Sequence, residues 1–202
     1  MLWTIVAATA LGALIIIGVH ALIIYAVYKQ RFELREPVVE AVADNGPGDA
    51  PVGLQTADPP LPAPTQTFLG PDNRRMDVAD FRGRIVVLNV WAMWCTPCRT
   101  ELPTLAALDA AYGDEVAVVV VNVDRTPEEI ERARAFLADQ APLAFYSDPT
   151  FELPFRLPGR AAMPQTVLID RQGRIQAWQA GEADWNGPEA RAMVDAMLAT
   201  GD

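Results

Sequence analysis

Residues 91–103 read WAMWCTPCRTELP and hold both cysteines of the chain, Cys95 and Cys98. Two thiols three positions apart admit three readings: a structural disulfide, half of a metal site, or a redox centre. A disulfide closing so short a loop removes almost no entropy from the unfolded chain, so it stabilises little. Two sulfurs cannot complete a tetrahedral zinc site, and the single histidine, His20, lies in another segment. A Cu(I) half-site, with Met93 and Met163 as soft ligands, is the binding-module alternative. Thiol–disulfide exchange fits the spacing best, because C-x-x-C beside a strand–helix–strand pattern is the redox arrangement.

Working outward, IVVLNV (85–90) and VAVVVVNV (116–123) are β-branched apolar runs of the kind that form strands buried on both faces. The stretch 97–112 between them predicts a helix, with Leu105, Leu108 and Tyr112 at helical spacing. TPEEIERARAFLADQ (126–140) predicts a second, with Thr126 as cap, Pro127 in the first turn and Glu129 closing a capping box. QTVLID (165–170) and RIQAW (174–178) read as a hairpin turning through Gly173, and a last helix is expected over 188–199. The fold class that follows is α/β, a mixed central β-sheet flanked by helices.

This placement sets the chemistry of the cysteines. Cys95 falls between a strand and a helix, where free backbone N–H groups and the helix dipole favour a thiolate. A thiolate at Cys95 attacks a client disulfide, and Cys98, one turn later, attacks the mixed disulfide and releases the client. Pro97 stiffens the turn between them. Trp91 and Trp94 either shield the sulfurs or pack as ordinary aromatics.

The chain has 202 residues, 51% apolar, with a net charge of −10. That suffices for one globular domain with additions. The charge leaves no basic footprint for nucleic acid. Three zones are expected: 1–28, 29–66 and 67–202. Residues 2–28 contain no Asp, Glu, Lys or Arg, and an apolar run of this length predicts one N-terminal transmembrane helix in the lipid bilayer. Trp3, Tyr25 and Tyr28 lie near its ends, as interfacial aromatics do. Residues 29–66 form a juxtamembrane segment and an acidic tether broken by Pro37, Pro47, Pro51, Pro59, Pro60, Pro62 and Pro64. Lys29, Arg31 and Arg35 follow the apolar run and argue for a cytoplasmic domain by the positive-inside bias.

VVLNVWAMWCTPCRTELP (86–103) and MPQTVLIDRQGRI (163–175) resemble the TlpA/ResA-type membrane-anchored branch of the thioredoxin-like family. The first matches that family's strand, Trp-Cys-x-Pro-Cys motif and kinked helix, with Pro103 at the kink. The second matches its cis-proline loop and terminal hairpin. The resemblance implies a thioredoxin-like fold and a cis Met163–Pro164 bond facing the sulfurs. It also implies client strands pairing at Met163, with Trp94 and Pro97 beside them. Asn89 stands where cytoplasmic thioredoxins carry a buried aspartate. Glu101, three residues after Cys98, resembles the branch's glutamate and is the candidate acid–base helper beside Cys95, Cys98 and Pro164; a solvated helix carboxylate is the alternative. SDPTFELPFRLPGRAA (147–162) resembles the insertion of this branch, with Phe151 and Phe155 expected in the core and client contact as the alternative.

The family implies a protein-disulfide reductase without a cofactor. Its implied partners are disulfide-bearing clients, in cytochrome c maturation or at oxidase copper sites, and an integral-membrane electron donor. It implies a domain on the periplasmic side of a bacterial inner membrane, against the basic flank.

Overall fold

The computed structural model describes residues 53–200 and, before them, His20, Leu22, Tyr25 and Ala26. These four residues are helical and exposed. The rest of the expected anchor 1–28, and residues 29–52, lie outside the described residues. Among the described residues no helix is long and apolar enough to cross a membrane.

Eight strands make one mixed sheet in the order β1-β8-β7-β4-β5-β6-β2-β3. They are β1 (Gln55–Pro62), β2 (Phe68–Leu69), β3 (Arg75–Met76), β4 (Ile85–Trp91), β5 (Val116–Asn122), β6 (Phe145–Ser147), β7 (Gln165–Ile169) and β8 (Arg174–Ala180). Every residue of β4, β5 and β7 is buried, which is why their sequences are mostly apolar on both faces rather than alternating. β4 runs parallel to β5 and antiparallel to β7. β7 and β8 form the expected hairpin, with Gly173 at a φ of +81° in its turn, a conformation glycine adopts without steric cost.

Helix α1 (Thr96–Tyr112), α2 (Pro127–Ala138) and α3 (Pro188–Ala199) follow the expected positions. The Thr126 hydroxyl accepts from the Glu129 N–H and the Glu129 carboxylate accepts from the Thr126 N–H, completing the capping box. The Tyr112 hydroxyl donates to Asp195 over 2.7 Å and ties α1 to α3. Arg134 of α2 stacks over the Phe145 ring of β6 at 4.3 Å.

One boundary differs from expectation. The tether expected to run to residue 66 gives way by Gln55 to an edge strand, which pairs antiparallel with β8. The prolines that suggested a tether are compatible with this position. An edge strand has one side free of partners, so a missing N–H there costs no ladder bond. The register breaks between Thr56 and Leu61, around Pro59 and Pro60. β2, β3 and β6 were not anticipated, since two or three residues carry no readable period.

Candidate active site

Parallel β4 and β5 end side by side, with Trp91 opposite Asn122. The segments leaving them therefore meet. Asp124, wholly buried just past β5, accepts through Oδ2 from the Met93 N–H at 2.8 Å and from the Asn122 side-chain amide at 2.7 Å. This fixes the loop that leads into Cys95. Sequence reasoning missed Asp124. Its signal was a lone carboxylate closing an otherwise apolar strand, next to the motif strand.

Cys95 caps α1, and Pro97 lies in the first turn. The Cys95 and Cys98 sulfurs are joined in a disulfide. The Cys98 N–H donates to the Cys95 sulfur at 3.3 Å, a helix-terminal donor of the kind that favours a thiolate over a thiol. Cys95 retains 5% of its surface and Cys98 none. Among the described residues no three His, Cys, Asp or Glu side chains gather as a metal-ligand set.

Glu101 follows Cys98 by three positions and so shares its helix face. It is 1% exposed, not a solvated helix carboxylate. Oε1 accepts from the Asn89 amide at 2.7 Å, and Oε2 accepts from the Ala183 N–H at 3.1 Å and the Trp185 indole N–H at 3.2 Å. Asn89 also donates to Thr166 Oγ1 at 2.8 Å. Burial pushes the Glu101 carboxyl up to about 7, against the opposing pull of the three donors and with a small further rise from Glu182. A carboxyl poised there gives and takes protons near neutral pH. Thr166, Ala183 and Trp185 were not foreseen. They come from β7 and from the segment after β8, far in sequence from the motif.

The Met163–Pro164 bond is cis, as the family resemblance implied. Pro164 is buried and Met163 half-buried; the Pro164 carbonyl accepts from the Gly181 N–H at 2.8 Å. The two motif tryptophans divide. Trp91 is wholly buried against Phe136, whereas Trp94, beside Cys95, is 57% exposed. Phe151 is half-buried, but Phe155 is 66% exposed, which corrects its expected place in the core. Its neighbours Leu153 and Leu157 take the buried positions instead.

The Redoxin family profile matches residues 57–198. The chain belongs to this family. Among its relatives, the thiol:disulfide interchange protein HelX of Rhodobacter capsulatus is 34% identical over 144 residues, covering 70% of this chain and 76% of HelX. The thiol-disulfide oxidoreductase ResA of Bacillus thuringiensis is 26% identical over 114 residues, covering 56% of this chain and 64% of ResA. A crystal structure of a putative thiol:disulfide interchange protein DsbE from Chlorobium tepidum superposes with a TM-score of 0.60 at 30% identity, covering 69% of this chain and 96% of that one. The TlpA/ResA-type resemblance thus holds for this redoxin, and with the Cys95–Cys98 pair it makes the protein a thiol–disulfide oxidoreductase.

Proposed function

We propose that this redoxin is a membrane-tethered reductase of disulfides in exported proteins. The reading rests on one observation above the rest: a buried carboxylate, Glu101, three residues beyond the sealed sulfur of Cys98. A negative charge there disfavours the thiolate and so stabilises the oxidised pair relative to the dithiol, which is what a reductant needs.

In the reduced enzyme, the Cys95 thiolate attacks one client sulfur and forms a mixed disulfide, and the other client sulfur leaves as a thiolate. Cys98 then gives its proton to Glu101 and attacks the Cys95 sulfur. The second client sulfur leaves as a thiolate, and two electrons have passed from the Cys95–Cys98 dithiol to the client. Pro164 and Met163 shape the groove, with Trp94 and Pro97 beside the client chain. An integral-membrane dithiol donor restores the reduced pair.

The apolar run 2–28 supports anchoring, and the TlpA/ResA-type resemblance supports a domain facing the periplasm. Apo-cytochrome c and the copper-site proteins of respiratory oxidases are the client classes that the resemblance implies.

Equilibration of the Cys95–Cys98 pair with a thiol buffer of known potential tests the direction of transfer. A value near the about −270 mV of thioredoxin fits a reductase; one near the about −120 mV of a strong oxidant overturns it. Paired fusions after residue 202, to alkaline phosphatase and to a cytoplasm-maturing fluorescent protein, test the topology. Fluorescence without phosphatase activity overturns the periplasmic reading.

A further inference from the structure

Exposed large apolar side chains are few in this domain. Among the described residues of 53–200 they are Leu61, Trp94 and Phe155. Two of the three belong to one cluster beside the disulfide. The Trp94 ring lies 6.4 Å from Phe151, and Phe151 lies 5.8 Å from Phe155, edge to face.

Phe155 is held outward by a built support. The buried carboxylate of Asp148 accepts from the backbone N–H groups of Thr150 at 3.0 Å, Glu152 at 2.9 Å and Leu153 at 2.8 Å, and from the Thr150 hydroxyl. The far end of the segment is fastened to Gln165, the residue after Pro164. Its amide donates to the Pro154 carbonyl at 2.9 Å and accepts from the Gly159 N–H at 3.1 Å. Phe151 takes a φ of +58° within this segment, a conformation unfavourable for an aromatic residue unless its surroundings impose it. The segment turns Leu153 and Pro154 inward and Phe155 outward.

We propose that Trp94, Phe151 and Phe155 form a docking ledge for clients in extended conformation that carry an aromatic or branched aliphatic residue close to the disulfide-bonded cysteine. This rests on the oxidoreductase reading and adds a client preference to it. Exchange brings a client cysteine within one bond of Cys95, so the surface continuous with Trp94 is client surface. An exposed apolar patch that continues a reaction site is a binding feature rather than a packing remnant. The two ring-to-ring steps give the reach. At about 3.3 Å per residue of extended chain, Phe155 meets a client side chain no more than about four residues from the cysteine.

The test uses the full chain and a set of peptides, each with one cysteine held in a mixed disulfide with glutathione. A phenylalanine or a serine is placed three or four residues from that cysteine, on either side. The expected result for the unaltered protein is a kcat/KM about tenfold higher for the better-placed phenylalanine peptide than for its serine partner. Phe155→Ser should erase most of that preference, and Phe155→Leu should retain it. Equal rates on both peptides, or an undiminished preference in Phe155→Ser, overturn the ledge. So does a loss of self-association in Phe155→Ser with peptide preference intact, which would make the surface a contact between copies. Exchange of the unaltered protein with oxidised glutathione is the separate check on the underlying chemistry. Its absence would sink the oxidoreductase reading itself, whereas exchange without peptide preference sinks only the ledge.

Discussion

The amide nitrogen of Asn89 donates to Glu101 Oε1 across 2.7 Å, while the other end of that amide, Oδ1, is buried without a partner. A half-turn of the amide exchanges donor for acceptor, so Asn89 serves Glu101 as a carboxylate and as a protonated acid. An aspartate in its place would set two carboxylates together. The asparagine is therefore compatible with the acid–base role proposed for Glu101.

Glu101→Gln tests the buried acid through stability. The folded protein holds the carboxyl near 7, above its ordinary value of 4.5. Neutral Glu101 is thus favoured by folding. Its contribution is complete below 4.5 and is lost as pH rises through 7. Unfolding measured between pH 5 and 8 should show stability falling in the wild type by at most about 3 kcal/mol from this group. Glu101→Gln should flatten that fall and shift the pH dependence of exchange. Parallel curves for the two proteins would contradict the assignment.

Cys98→Ser should lose turnover and accumulate a client-linked mixed disulfide through Cys95. In the reduced wild type, Cys95 should alkylate faster than Cys98, which has no exposed surface in the disulfide form. Mass spectrometry after brief alkylation reads this directly, and preferential labelling of Cys98 would reverse the roles.

Asp148→Ala removes the acceptor of three backbone N–H groups in the segment that carries Phe151 and Phe155. Only the Leu153 N–H is fully buried, and a buried donor left unpaired costs about 1–3 kcal/mol, so a loss of roughly that size is expected in urea unfolding. Asp148→Asn keeps one oxygen and should cost less. Equal losses in the two variants would show that the bonds to Asp148 contribute little.

A chain beginning at residue 67 lacks β1 and leaves β8 unpaired on one side. It should melt several degrees below a chain beginning at residue 53, since about 1 kcal/mol corresponds to roughly 2–8 °C in a domain of this size. Identical melting temperatures would return residues 55–62 to the tether.

The strands β4, β5 and β7 were legible because burial on both faces makes them mostly apolar and β-branched, and the few polar residues they hold, such as Asn89 and Gln165, are bonded inside. The capping box at Thr126 and the turn at Gly173 were legible because each depends on a local pattern. β1 was not, since proline reads as a breaker until a strand's place at the sheet edge is known. Phe155 misled for a similar reason: composition says that phenylalanine is buried, and only the turn at Leu153–Arg156 decides which side chains face inward. Within the site, the cysteine pair was clear from spacing. The surroundings of Glu101 were not, because Ala183 and Trp185 reach it from more than eighty positions away, and Thr166 holds its partner Asn89 from more than seventy.

The outer strand β1 places Pro59, Pro60 and Pro62 along one margin of the sheet, and the opposite margin is β3, two residues long. A protein that handles extended chains risks having them zip onto its own sheet and nucleate aggregates. Neither margin presents a regular run of donors and acceptors on which such a chain could grow. Both flanks of the sheet are thus poor templates for stray polypeptide, in keeping with the client entry proposed at Met163.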